Sequence, residues 1–310
     1  MKLTSRRTLL ASAAATAAGL PLLNDLAGNG STAAAATSTA ERFASNAALY
    51  SSDAFQEGRD WARRFRSGTR SELLDNTSGT SDPVRSTAVI APHGGGIEMG
   101  TSELCLAIAG YTLVGAGTEL PAPVGGVPQR DYWMFEGLTP HADLHVTSTN
   151  CDDPAALAVC GNNQYAVSLH GFSPATGPAK QILIGGRDER LMRNLGWAFA
   201  KYGFTTGTSN PDLAVKVTIA GINTPLNGDD PKNIVNRTRT GAGAQLEIST
   251  ELRGAMFGSF EGGANRRATA GVKPTPAKPT DHQPHFWNGF VNAVREAMDR
   301  HELGLDSPVV

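Results

Sequence analysis

One short apolar run, closed by glycines, constrains the fold of this chain more than any other feature: Thr87-Ala88-Val89-Ile90-Ala91 passes directly into Pro92-His93-Gly94-Gly95-Gly96. Such a run offers water no polar face, so as a strand it has to be covered on both sides. The glycines then allow a sharp turn. The same grammar recurs downstream, where Tyr165 to Leu169 ends at His170-Gly171 and Gln181 to Ile184 ends at Gly185-Gly186. Val215 to Ile219 and Ala244 to Ile248 are further strand-like runs. Between them, Ser102 to Ile108, with Ser102 as its cap, and Leu191 to Tyr202, following Asp188, read as helices. Strands alternating with helices predict an α/β fold: a single domain with a mixed, mostly parallel β-sheet flanked by helices. In such sheets ligands bind beyond the carboxyl ends of the strands. His93, His170 and Glu247 each fall at or near such an end.

The flanks are different in kind. Ser5-Arg6-Arg7-Thr8-Leu9-Leu10 opens a modestly apolar run rich in Ala, Thr and Leu, which leads to small residues at Ala33 to Ala36. Residues 1–36 therefore read as a cleavable twin-arginine export signal, and the mature protein is expected to be secreted. The apolar stretch from Leu9 to Leu23 is short of the roughly 20 residues that a span requires, so no permanent membrane span is expected after cleavage. Residues 37–310 form the expected domain, with its core at about 85–260. From Thr37 to Arg85 the chain is polar with scattered aromatics, and Phe55, Trp61 and Phe65 suggest a short amphipathic helix or irregular strapping over the core. A proline-rich connector at 273–284 precedes a predicted helix over 285–303, on which Phe286, Phe290, Val294, Ala297 and Met298 share one face.

With 27 basic and 29 acidic residues the chain is close to neutral, which argues against nucleic acid as a partner and leaves anion recognition to local arginines. Of the three cysteines, Cys151 and Cys160 are spaced to close a small loop over Asp152-Asp153-Pro154 in an oxidising compartment, with Cys105 as a buried thiol.

The chemistry concentrates in His93-Gly-Gly-Gly-Ile-Glu98. A zinc hydrolase needs imidazoles and a carboxylate about 2.0 to 2.2 Å from the ion, with one position left open. Three glycines let the backbone fold back so that both side chains reach one ion from a single loop. Gly100-Thr101-Ser102-Glu103 then enters a helix whose first amides can hold an anion. Taken alone, such a pair more often marks a glycine turn carrying an exposed His and Glu. His-Gly-Gly-Gly also occurs as an oxyanion-hole segment in α/β-hydrolases, but that fold needs a serine in Gly-x-Ser-x-Gly. No such pentapeptide occurs here.

The chain resembles the poly-γ-glutamate hydrolases first recognised in bacteriophages, zinc amidases similar in fold to carboxypeptidase A. The resemblance rests on Pro92 to Leu104, Leu144-His145-Val146-Thr147-Ser148 with Asp152-Asp153-Pro154, and Ser168-Leu169-His170-Gly171. It continues through Gly185-Gly186-Arg187-Asp188, and from Asn236-Arg237 through Gln245-Leu246-Glu247-Ile248-Ser249 to Leu252-Arg253. The resemblance implies that His93, Glu98 and His170 hold zinc, and that Glu247 stands where carboxypeptidase-like enzymes keep the glutamate that activates water. Every residue of a γ-linked glutamate chain carries a free carboxylate, which suits the planar fork of arginine. Arg187, Arg237, Arg239 and Arg253 are the candidates, and Asn236 joins them as an expected substrate contact. His145 lies four residues after His141 in a segment that reads as extended. Positions so spaced are too far apart to share an ion, so His145 is expected to touch substrate or orient a ligand, and His141 to lie on the surface.

These features predict a secreted, zinc-dependent amidohydrolase that cleaves γ-glutamyl amide bonds in an anionic polymer or peptide. Two alternatives stand beside it: a zinc amidase or peptidase directed at peptidoglycan, and a secreted binding protein that recognises an anionic polymer without cutting it.

Overall fold

The computed structural model describes residues 41–68, 86–139, 142–221, 224–273 and 282–308. The expected leader, His141 and most of the proline-rich connector lie outside the described residues. Seven strands form one sheet in the order β1-β3-β2-β4-β7-β5-β6. They are β1 (Trp61–Arg66), β2 (Thr87–Gly95), β3 (Tyr132–Gly137), β4 (Tyr165–Phe172), β5 (Gln181–Gly186), β6 (Lys216–Ile219) and β7 (Ala244–Ser249). The inner pairings β3-β2-β4-β7 are parallel, β5 pairs with β6 in parallel, and β1 and β5 run antiparallel to β3 and β7. The expectation of a mixed, mostly parallel sheet between helices holds.

Alternation along the strands separates two cores. On one face Val89, Ala91, Val167, Leu169, Leu246 and Ile248 pack with residues of α2 (Thr101–Ala109), α4 (Glu189–Lys201) and α7 (Gln283–Glu302). On the other, Ala88, Ile90, Trp133, Phe135 and Ala166 pack with Leu49 of α1 (Asn46–Tyr50), and with Ala156, Val159 and Cys160 of α3 (Pro154–Asn162). Phe286, Phe290, Val294, Ala297 and Met298 of α7 are all buried, as their shared face requires. Two short helices, α5 (Thr250–Gly254) and α6 (Gly263–Thr269), follow β7. All these elements belong to one compact unit, Ala33–Val310. No helix among the described residues is long and apolar enough to cross a membrane.

Several expectations change. The Phe55-Trp61-Phe65 patch is not helical: Trp61 opens the edge strand β1, while Phe65 is 55% exposed. Helix α2 is capped by Gly100 and not by Ser102, whose hydroxyl accepts a hydrogen bond from the Gly95 amide. Its first turn is buried, with Glu103 paired to Arg266, and so offers no open anion seat. The Cys151–Cys160 disulfide is absent, and all three cysteines are buried free thiols. The segment between Cys151 and Cys160 is no loop to be closed: Asp153 caps α3 through the Ala156 amide, Pro154 starts it, and Cys160 already sits on it.

Candidate metal centre

A single irregularity in β2 creates the site. Between Ala91 and Gly94 the register against β3 slips, so that β2 spans three residues where β3 spans two. Pro92 lacks the N–H that a regular ladder requires, and a bulge accommodates it. An extra residue also reverses the side-chain alternation beyond it. Strict alternation would send His93 to the face of Val89 and Ala91. The bulge turns it instead to the face where β4 presents His170 and β7 presents Glu247, which are register partners.

Three acceptor atoms converge there. His93 Nδ1 lies 3.0 Å from Glu98 Oε1 and 3.1 Å from His170 Nδ1. His170 Nδ1 is 3.6 Å from Glu98 Oε2. Both imidazoles are almost wholly buried, and the Gly171 amide donates to Glu98 Oε2 at 2.9 Å. The outer nitrogens fix the rings. His93 Nε2 donates to the Val146 carbonyl at 2.9 Å, which leaves the lone pair of the neutral ring on Nδ1, pointing inward. His170 Nε2 is held by Ser168 Oγ at 2.8 Å, with Ser148 Oγ at 3.4 Å. Two nitrogens at about 2.05 Å from a tetrahedral zinc would stand roughly 3.3 Å apart, close to the observed separations. The donor set, with its outer hydrogen bonds to a carbonyl and hydroxyls, fits a divalent zinc-like ion. Burial opposes charge on His93, but Glu98 outweighs it and raises the His93 pKa, while the histidines hold Glu98 well below the usual carboxylate range.

His145 forms a rival set, because one ligand atom each of His93, Glu98 and His145 also lie within 4.8 Å of one another. Its ring stacks on His93 at 3.9 Å between centroids and 30° between planes. Its Nδ1 engages Glu41 at 3.0 Å. His145 follows a single 3-10 turn, Ala142–Leu144, and not an extended segment. His93 and burial hold its pKa down at about 4.

Glu247 is 5% exposed, and Gln245 Nε2 donates to its Oε1 at 2.9 Å. Burial pushes this carboxyl up to about 7; His170 and His93 pull against the shift and Glu98 adds to it. Arg253 is buried beside the centre. Its Nε, Nη1 and Nη2 donate to Ile248 O, Met99 O and Thr250 Oγ1 at 3.0, 2.5 and 3.0 Å. It forms no ion pair among the described residues. Two of its five N–H groups remain for a ligand.

The other expected contacts lie elsewhere. Arg187 follows β5 at the opposite rim of the sheet, beside the starts of β4 and β7, where it helps line a cavity of about 360 Å³ with Tyr165, Arg190 and His301. The Asn236 amide is buried and donates to Gly228 O and Asp230 O, while its oxygen accepts from Gly243, so it shapes a loop. Arg237 and Arg239 are exposed beyond the 3-10 turn Ile234–Asn236. Ser168 and Gln245 were not expected, although each precedes its partner by two residues and so shares its strand face.

Fold and cluster together define an α/β protein with a candidate metal centre at the carboxyl edge of its sheet. Residues 69–275 match the model of the poly-γ-glutamate hydrolase family, and the chain belongs to that family. It is 33% identical over 183 residues to the SPbeta prophage-derived protein YoqZ of Bacillus subtilis (strain 168), covering 58% of this chain and 55% of YoqZ. YndL of the same strain is 33% identical over 186 residues, covering 59% of this chain and 60% of YndL. The chain thus spans little more than half the length of these curated relatives. A solved bacteriophage poly-γ-glutamate hydrolase superposes with TM-score 0.58 and 24% identity, covering 84% of this chain and 98% of that one. Zinc-free YndL superposes with TM-score 0.57 and 24% identity, covering 82% and 98%. At that identity both likenesses establish the fold.

Proposed function

We propose that this chain is a secreted, zinc-dependent amidohydrolase that cleaves γ-glutamyl amide bonds in poly-γ-glutamate. One observation carries the reading: His93 Nδ1, His170 Nδ1 and the Glu98 carboxylate converge with separations of 3.0 to 3.6 Å, and Glu247 stands in register beside His170. Three protein ligands with one position open is the pattern of a catalytic rather than a structural zinc. Membership of a hydrolase family and the likeness to a protein solved in a zinc-free form support the same choice of metal. When bound, zinc supplies Lewis acidity at this point, lowering the pKa of water toward about 7 and polarising a carbonyl.

The chain's own residues supply the rest. Glu247 accepts a proton from the attacking water and delivers it to the departing amine, and its raised pKa suits both directions of transfer. Gln245 fixes its orientation. Arg253 presents its remaining N–H groups to a substrate carboxylate, and His145, half-buried over His93, forms one wall of the approach.

The test is release of new amines from purified poly-γ-glutamate, with peptidoglycan run in parallel. The reading predicts chelator-sensitive release from the polymer. Release from peptidoglycan alone would reassign the substrate to the cell wall, and release from neither would make the protein a binder.

A further inference from the structure

The glycine loop is gripped from the side of the sheet away from the imidazoles. Arg266, on α6, is 3% exposed and reaches 171 residues back along the chain, where its Nη2 donates to the Gly95 carbonyl at 3.1 Å. Its Nη1 donates to Phe260 O and its Nε to Glu103 Oε1, each at 3.1 Å. Glu103 neutralises the guanidinium, so the Gly95 carbonyl receives a fixed donor rather than an uncompensated charge. Gly95 sits at φ +67°, with its amide on Ser102 Oγ, and an added Cβ would lie 2.2 Å from Gly137 O. At the far end of the loop the Glu98 amide closes on His93 O at 2.8 Å, and Arg253 holds Met99 O. The span from His93 to Glu98 thus hangs between two buried arginines. Neither arginine touches the metal-facing atoms.

We propose that Arg266 is a positioning residue for the metal ligands: by holding the Gly95 carbonyl it fixes the bulged loop that sets His93 against Glu98, and so raises zinc affinity. This rests on the zinc reading above. A planar guanidinium makes these three bonds at once, whereas a lysine ammonium on the same stem cannot reproduce the fork. Groups that orient metal ligands are commonly worth 10- to 100-fold in metal affinity.

The test is zinc affinity, measured by competition with a chromophoric chelator alongside thermal melting, in the full chain and in three variants. Arg266→Lys tests the fork. Glu103→Met/Arg266→Met removes both members of the buried pair at once, a change that is often neutral for stability, so it reports even if the lysine variant fails to fold. Arg130→Lys is the control, because Arg130 is equally buried but pairs with Asp299 and Glu302 of α7. The expected result is zinc affinity weakened about tenfold or more in both Arg266 variants and changed less than about threefold in Arg130→Lys, whatever each does to the melting temperature. Unchanged affinity in a folded Arg266 variant, or equal loss in the Arg130 control, would overturn the proposal while leaving the zinc reading intact. A wild-type chain that binds no zinc would overturn both.

Discussion

Glu247 occupies the position where a single side chain separates catalysis from binding. It lies in register with His170, and burial pushes its carboxyl up to about 7. A binding protein has no use for such a group, whereas a general base has. Glu247→Gln keeps the shape and can still hydrogen-bond Gln245. Turnover is expected to fall about 10²- to 10⁴-fold, with zinc content unchanged. Loss of zinc together with turnover would instead make Glu247 a ligand. At this scale the sequence was most legible where chemistry is local: His93 and Glu98 share one loop, and His170 ends an obvious strand. It was least legible where a role depends on folding back. Arg266 and Glu103 are 163 residues apart, and neither neighbourhood hints at their pairing. Arg187, read as a substrate contact from its place beside a strand end, belongs to the wrong end, because β5 runs antiparallel to β7.

Among the elements, the bulge in β2 and the caps of the helices decide how precisely side chains are aimed. Asp188 caps α4 through the Leu191 amide and meets His301 Nε2 of α7 at 2.9 Å, joining two helices that bury the same sheet face. Burial pushes the Asp188 pKa up, but His301 and the cap outweigh it and hold it below the ordinary 3.8. A depressed carboxyl stabilises the fold above its unfolded pKa, and this contribution is lost as pH falls through the native value. Asp188→Ala is expected to cost about 1 kcal/mol at neutral pH by losing the cap, and Asp188→Asn less. Followed by thermal melting, the gap between wild type and Asp188→Asn is expected to hold above about pH 5 and to close on acidification below about pH 4. A gap that widened on acidification would contradict the assignment. Strands β2, β4, β5 and β7 were legible as apolar runs, and α4 and α7 as amphipathic stretches. The edge strand β1 escaped because its two aromatics flank a polar stretch and carry no clear period, whereas β3, which opens on the continuous apolar run Tyr132 to Phe135, has the same signature as the strands that were legible and was missed without such a reason.

For the molecule as a whole, the sheet carries its candidate metal residues along one carboxyl edge, with helices packed on both of its faces. The twin-arginine reading of residues 1–36 belongs at this scale. Export is proposed from Arg6-Arg7 and the apolar run behind them, so Arg6→Lys/Arg7→Lys is expected to retain the protein inside the producing cell. Fractionation and blotting for the mature chain check this, and unimpeded secretion of the variant would remove the twin-arginine route.

We propose that His93, Glu98 and His170 form one zinc site that drives amide hydrolysis. It is tested most directly by metal analysis of the purified mature protein and of the His93→Ala/His170→Ala variant, each assayed on poly-γ-glutamate. About one zinc per wild-type chain is expected, lost in the variant together with activity. Full zinc occupancy in the folded variant would contradict it, because the ligands would then lie elsewhere.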